Sequence, residues 1–181
     1  MNTTPPLDGL LLRAGCAADA LPLSVLAMQV FLDTYCKEGI NASIARHVLE
    51  TYTEASYAQA LADPQQRLVV AERQGLLLGF GQVTLNTPQA LVPAGTQAEL
   101  LRLYVQEPFT GAKLGTALLA EAERAAAQAG STVLWLTPWV HNQRARAFYA
   151  RRGYTDHGLT HFIIDGQAHE NRVLAKELQA R

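Results

Sequence analysis

Apolar and polar positions along this chain follow two periods, and the change from one to the other marks out its elements. Leu10 to Arg13 is a short apolar run of strand type. Leu21, Val25, Met28, Leu32 and Tyr35 then recur at spacings of three and four, which predicts a helix through Tyr35 with one apolar stripe packed on a sheet. Asp19 is the expected N-cap and Pro22 falls in the first turn. After a break at Gly39, two short helices are expected over 43–52 and 54–61, ended by Asp63-Pro64.

The period then shortens. Residues 67–73 and 76–85 read as strands joined by the tight turn Gln74-Gly75, a hairpin signal. Gly79 and Gly81 alternate in the second strand, where neighbouring backbone can come close or a bulge can form. Asn86 to Gln97 has two prolines, a glycine and no periodicity, and reads as a loop. Ala98 to Val105 is a strand, and a glycine-bearing turn leads into a helix over 112–129. Leu114, Leu118, Ala122, Ala125 and Ala129 form the expected inner face of that helix, and Gly130 stops it. Ser131 to Thr137 follows as a strand, so strand, helix and strand make a βαβ crossover with parallel strands.

A second helix is expected over 142–152, ended by Gly153. Two short strands, 154–157 and 161–164, a hairpin turn at Asp165-Gly166 and a returning strand at 172–178 close the chain. The order predicts a mixed α/β fold, with a twisted, partly antiparallel sheet of six to seven strands flanked by helices. No repeat or linker interrupts it, so a single domain over 1–181 is expected, its core at about 10–178.

Composition narrows the function classes. A net charge of −1 argues against a nucleic-acid partner, which calls for a basic face. Cys16 and Cys36 have no CxxC spacing and read as free thiols. His157 and His161 are four apart with Gly158 between them in an extended segment, so no metal site is expected. Met1 to Asp8 lacks the pattern of a signal peptide, and no apolar run reaches the roughly 20 residues of a membrane span, so a cytoplasmic location is expected.

The chemistry is concentrated at 99–130. A turn that opens directly into a helix presents backbone N–H groups at the positive end of the helix dipole, a site suited to phosphate. Two stretches carry a resemblance to a known family. The turn Thr110-Gly111-Ala112-Lys113-Leu114-Gly115 is similar to the Gln/Arg-x-x-Gly-x-Gly/Ala turn of the GNAT superfamily of N-acetyltransferases; Gly115 matches, while Thr110 and Lys113 depart from it. Asn142, Ala145, Phe148, Tyr149, Gly153 and Tyr154 match its second signature, Asn-x-x-Ala-x-x-Phe-Tyr-x-x-x-Gly-Tyr. Phe31 to Tyr35, Trp135-Leu136, Trp139, Asn142 and the stretch Ala175 to Leu178 also resemble the PaiA-type spermidine/spermine acetyltransferases, with departures at Thr137-Pro138 and Val140.

The resemblance implies acetyl-CoA as co-substrate, no metal, and direct transfer to a small-molecule amine, with a homodimer left open. The backbone of Leu103, Tyr104 and Val105 would dock the pantetheine arm, and its donors would polarise the thioester carbonyl. The amides of Thr110 to Thr116 would face the pyrophosphate; Lys113 adds charge there or is a solvated helix lysine, and Thr116 adds a hydroxyl or caps. Tyr149 is the candidate general acid for the departing thiolate, or a core aromatic beside Phe148. Asn142 is a candidate for the pantetheine arm, and Arg144 or Arg151 for the 3′-phosphate. Glu99 is the candidate base acting through water, or a strand-end carboxylate without a role. A polyamine would call for acidic lining, for which Asp33, Glu38 and Glu99 are candidates. Protein N-terminal or amino-acid acetylation, and an acyl-CoA-binding module without catalysis, remain as alternatives; Trp135 and Trp139 read as core or pocket wall.

Overall fold

Gln74 and Gly75 both lie at positive φ, 53° and 79°, the conformation that turns two strands tightly with the right twist. The turn folds β2 (Gln66–Arg73) onto β3 (Leu76–Leu85), as the sequence pattern predicts. In this computed structural model, which describes residues 9–164 and 166–179, the hairpin sits in one seven-stranded sheet. Strands β1 (Leu10–Ala14), β4 (Gln97–Val105), β5 (Val133–Leu136), β6 (Thr155–Ile164) and β7 (Gln167–Glu177) complete it in the order β1-β2-β3-β4-β5-β7-β6. Every neighbouring pair is antiparallel except β4 and β5, the two strands of the crossover.

Helices cover both faces of the sheet. On one, α1 (Ala20–Tyr35), α2 (Ala42–Thr51) and α3 (Glu54–Ala62) build a core with Leu68, Val70 and Phe80. On the other, α4 (Leu114–Gln128) and α5 (Gln143–Ala150) pack Leu119, Ala122, Ala126 and Tyr149 against Val83, Leu100, Leu134 and Leu174. Burial at this level, about 25 cal/mol per Å² of apolar surface, is what holds the two helix layers to the sheet.

Several expectations need correction. The inward face of α1 is Leu23, Leu26, Ala27, Val30 and Phe31, while Leu21 and Val25 are more than half exposed. The helix is apolar nearly all round, so spacing alone supports two stripes, and packing on α3 and β3 selects the other one. Asp19 occupies the N-cap position of α1 as expected, but its side chain makes no cap bond to that helix; its carboxylate accepts from Arg13 Nη1 and Nη2 at 2.7 and 2.8 Å and from the Cys16 amide at 2.7 Å. The stretch Ala17–Tyr35 is, at 19 residues, long and apolar enough by composition to cross a bilayer, but its inner face is part of the core.

The inner face of α4 is Leu114, Leu118, Leu119, Ala122 and Ala126, with Ala129 exposed beyond its end. Gly130, at φ 90°, ends it as expected: its amide bonds Ala127 O, and the Ser131 amide bonds Ala126 O. The two strands expected at 154–157 and 161–164 are one strand with a bulge at His157, where the pairing shifts between Asp156 and Gly158. β7 begins at Gln167 rather than Arg172, because the long hairpin partner β6 supplies backbone bonds along its whole length. Asp165 of the expected hairpin turn lies outside the described residues, as does the Met1 to Asp8 segment.

Two features of the sheet prepare the site. β4 pairs with β5 only over Gln97–Glu99 against Val133–Trp135; beyond Glu99 the parallel strands part and leave the β4 edge open through Val105. Leu101 is a bulge residue, since Gln82 pairs with Arg102 and Val83 with Leu100. The bulge keeps Leu103 and Val105 on the α4 face and sends Arg102 and Tyr104 to the α1–α3 face. Gly79 makes this close packing of β3 on β4 feasible: a Cβ there would fall 2.6 Å from the carbonyl oxygen of Tyr104.

Candidate active site

The parted strands open into a cleft of about 800 Å³ between β4, the turn before α4, and α5. The turn is built by two left-handed residues, Gly111 at φ 86° and Lys113 at φ 65°, so α4 starts at Leu114 and not at Ala112. Lys113 is therefore not a helix lysine: it stands at the N-cap of α4 in the left-handed conformation. A non-glycine residue there costs about 1–2 kcal/mol, a strain carried by the surrounding turn.

The strain has a geometric consequence. The Thr110 amide bonds Glu107 O at 3.1 Å, and the Thr116 and Ala117 amides bond Lys113 O at 3.0 and 3.1 Å. Between them, the amides of Gly111, Ala112, Lys113, Leu114 and Gly115 have no hydrogen-bond partner among the described residues. Consecutive unpaired N–H groups at the start of a 15-residue helix make a cradle for an anion such as pyrophosphate. The residues present thus fit a coenzyme A phosphate.

The chain's other signature is on α5. Asn142 is its N-cap, not a residue of its face: the side-chain oxygen accepts from the Ala145 amide at 3.0 Å. The Tyr35 hydroxyl, on α1, lies near enough to Asn142 and Tyr149 to interact with both electrostatically. Tyr149, two turns on, lines the cleft with Leu103, Val105 and Asn142, and its ring packs edge-on at 5.1 Å to Phe148 and 5.5 Å to Tyr154. Burial, and then the nearby Tyr35, push its phenol far above the ordinary value, so it stays protonated through the neutral range. Both readings of Tyr149, core aromatic and proton donor, describe the same buried ring.

The chain matches the model of the Acetyltransferase (GNAT) family over residues 34–154, well over half its length. The chain belongs to the GNAT family. It is a GNAT-type N-acetyltransferase with acetyl-CoA as co-substrate. It is 26% identical over 153 residues to an N-acetyltransferase of Lactobacillus delbrueckii subsp. lactis, covering 84% of this chain and 88% of that one. It is 29% identical over 137 residues to the aminoalkylphosphonate N-acetyltransferase of Salmonella typhimurium, covering 75% and 88%. In fold it is similar to the PaiA N-acetyltransferase of Thermoplasma acidophilum in complex with coenzyme A: TM-score 0.74, 23% identity, 93% of this chain and 98% of that one.

Within this GNAT fold, most of the residues expected at the cofactor site line one cleft: Leu103, Val105, Thr110, Gly111, Lys113, Gly115, Thr116, Asn142, Arg144, Tyr149 and Arg151. Tyr104, Ala112 and Leu114 do not. The Tyr104 ring crosses to the opposite face against Phe80, and Leu114 is buried beneath the turn in the α4 core. Ala112 and Leu114 have a place there only through their amides.

Arg144 and Glu107 approach to 3.3 Å across the mouth with both side chains exposed, a pair worth little in energy. Arg152 was not singled out from the sequence. It bonds the Thr116 hydroxyl and Phe148 O, lies 4.0 Å from the centre of the Phe148 ring, and has a buried Nε without a partner. A phosphate beside Thr116 would meet this guanidinium before Arg151, which is exposed. Only its closeness to Gly153 on the helix end hinted at it.

Glu99 lies outside the cleft, half-buried on the α1–α3 face at the last position where β4 pairs with β5, opposite Trp135 on β5 and Thr84 on β3. Burial raises its carboxyl above the ordinary glutamate value, with Arg102 pulling the other way. No group of three or more His, Cys, Asp or Glu able to hold a metal is found among the described residues.

Proposed function

We propose that this enzyme acetylates the primary amine of a small molecule in a ternary complex, with Glu99 and Tyr149 acting from opposite faces of the parted β4–β5 pair. The observation that carries the reading is the end of parallel pairing at Glu99. At that point a carboxylate with a raised pKa stands on one face of the sheet and a protonated tyrosine on the other. Acetyl-CoA, when bound, supplies a thioester carbonyl and a thiol leaving group. The open β4 edge at Leu103 to Val105 orients the pantetheine arm, and the five unpaired amides of the turn hold the pyrophosphate. Glu99 takes the proton of the attacking amine through water, and Tyr149 Oη gives one to the departing sulfur. Neither Cys16 nor Cys36 lines the cleft, which supports direct transfer over a cysteine-bound intermediate.

The polyamine-like acceptor draws its support from the resemblance of Phe31 to Tyr35, Trp135-Leu136 and Trp139 to the PaiA-type spermidine/spermine acetyltransferases. The carboxylates named for it do not converge. Asp33 lines the cofactor cleft, Glu38 is exposed after α1, and Glu99 is on the far face. The test is a thiol-release assay over small amines, amino acids and amino-terminal peptides. Release with small amines and none with peptides is expected; release with peptides alone, or acetyl-CoA binding without release on any acceptor, overturns the reading.

A further inference from the structure

On the face away from the cofactor cleft is a second cavity of about 520 Å³ between α3, β2, β3 and β4, reached from β4 by Arg102. Its walls are chiefly polar: Tyr57, Gln66, Gln82 and Arg102 line it, with Asp63 at the end of α3. Arg102 is half-buried and makes no ion pair among the described residues. Its Nη1 donates to the Gln82 amide oxygen at 2.8 Å, and its guanidinium lies 5.2 Å from the centre of the Tyr52 ring. Gln82 is held in turn by donating to Gln66 Oε1 at 3.1 Å. The guanidinium is thus fixed in place by neutral groups; Glu99 acts on it through space without forming an ion pair, and most of its five N–H donors remain available. In the same wall the Tyr57 hydroxyl is buried and has no partner. Asp63 does not neutralise Arg102, and its Oδ1 accepts from the Gln65 amide at 2.8 Å.

A partly desolvated arginine with no carboxylate in direct contact is costly unless a ligand completes it, and its planar fork suits a bidentate oxyanion. Arg102 follows Glu99 by three residues on the same strand face. That places the two Cα atoms about 10 Å apart along β4, and the guanidinium acts on the Glu99 carboxyl electrostatically. We propose that Arg102 anchors a carboxylate or phosphonate on the acceptor, so that the substrate is a short amine carrying an anionic group and not a polyamine. This rests on the small-amine reading above.

The experiment pairs acceptors of matched length: 2-aminoethylphosphonate and β-alanine against propylamine, with spermidine as the polycation and inorganic phosphate as a free anion. In wild-type enzyme kcat/KM for the better anionic acceptor should exceed that for propylamine by tenfold or more. Arg102→Gln should bring the two near parity through KM, with the KM for acetyl-CoA unchanged, when rates are compared on the pH plateau where Glu99 is ionised in both proteins, since loss of Arg102 also raises the Glu99 carboxyl. Equal or better use of spermidine by wild-type enzyme overturns the proposal, as does an Arg102→Gln loss that on this plateau is shared equally by all acceptors. Titration calorimetry supplies a readout independent of turnover. Binding of an anionic amine that is weakened in Arg102→Gln supports the anchor even if no amine is acetylated, an outcome that would sink only the small-amine reading. No difference in binding between the two proteins, or inorganic phosphate binding as tightly as the amines, overturns the anchor.

Discussion

The two faces of the parted β4–β5 pair are built from different materials. On the α4 face the cleft is largely backbone: an open strand edge, five unpaired amides and two left-handed residues that aim them. On the α1–α3 face the proposed acceptor side is made of side chains drawn from distant segments, Tyr52 and Tyr57 from the region of α2 and α3, Gln82 from β3, Glu99 and Arg102 from β4. A backbone site tolerates changes of residue type so long as φ and ψ survive, which is why Thr110 and Lys113 can depart from the family pattern without removing the cradle. A side-chain site changes with every substitution, and this is where one GNAT enzyme can differ from another in its acceptor.

Substitutions should divide along that line. The largest effect is expected for Tyr149→Phe, the one side chain the backbone face requires. Its kcat should fall by about 10²- to 10⁴-fold, while acetyl-CoA binding by calorimetry changes little. Unchanged turnover would move the proton donor elsewhere, with Tyr35 next in reach through Asn142. Glu99→Gln comes next, with a loss of about 10²-fold in kcat/KM near neutral pH. A base must be deprotonated, so the wild-type rate should rise with pH through the Glu99 pKa, which burial sets above the usual glutamate value. That limb should vanish in Glu99→Gln; its persistence would return Glu99 to a strand-end carboxylate.

Smaller changes probe the cradle. Gly111→Ala puts a Cβ at φ 86°, with no neighbour within 4 Å to clash, so conformation alone is tested. A strain of about 1 kcal/mol should appear as lowered thermal stability, as a several-fold rise in the KM for acetyl-CoA, or as both, with kcat kept. Lys113→Gly relieves the left-handed strain and removes one charge. Its stability should shift by no more than about 1 kcal/mol, and any rise in the KM for acetyl-CoA should shrink as salt is added. A tenfold loss in this variant would mean that the lysine charge, and not the amides, holds the phosphate.

Most of the architecture was legible because it is written in local signals. The Gln74-Gly75 hairpin, the stop at Gly130 and the βαβ crossover each rest on a few neighbouring residues. The α1 stripe was misread because a helix that is apolar on several sides leaves its orientation to whatever packs on it. β6 was divided because Gly158 reads as a break, whereas β7 opposite carries the strand across a bulge. Arg152 and Arg102 went unnoticed for a related reason. Each is one charged residue among many until Thr116 and Phe148, or Gln82 and Tyr52, come to lie beside it.

By itself, then, the order of residues determined the elements, the turn that opens into α4 and the family to which the chain belongs, since hydrophobic period, turn chemistry and motif spacing are all short-range. Only the tertiary structure decided where β4 leaves β5, which arginine stands by the phosphate turn, and that Glu99 and Arg102 share a face beyond the cofactor. Those depend on strand register and on one bulge at Leu101, and register is settled by contacts between segments far apart in the chain.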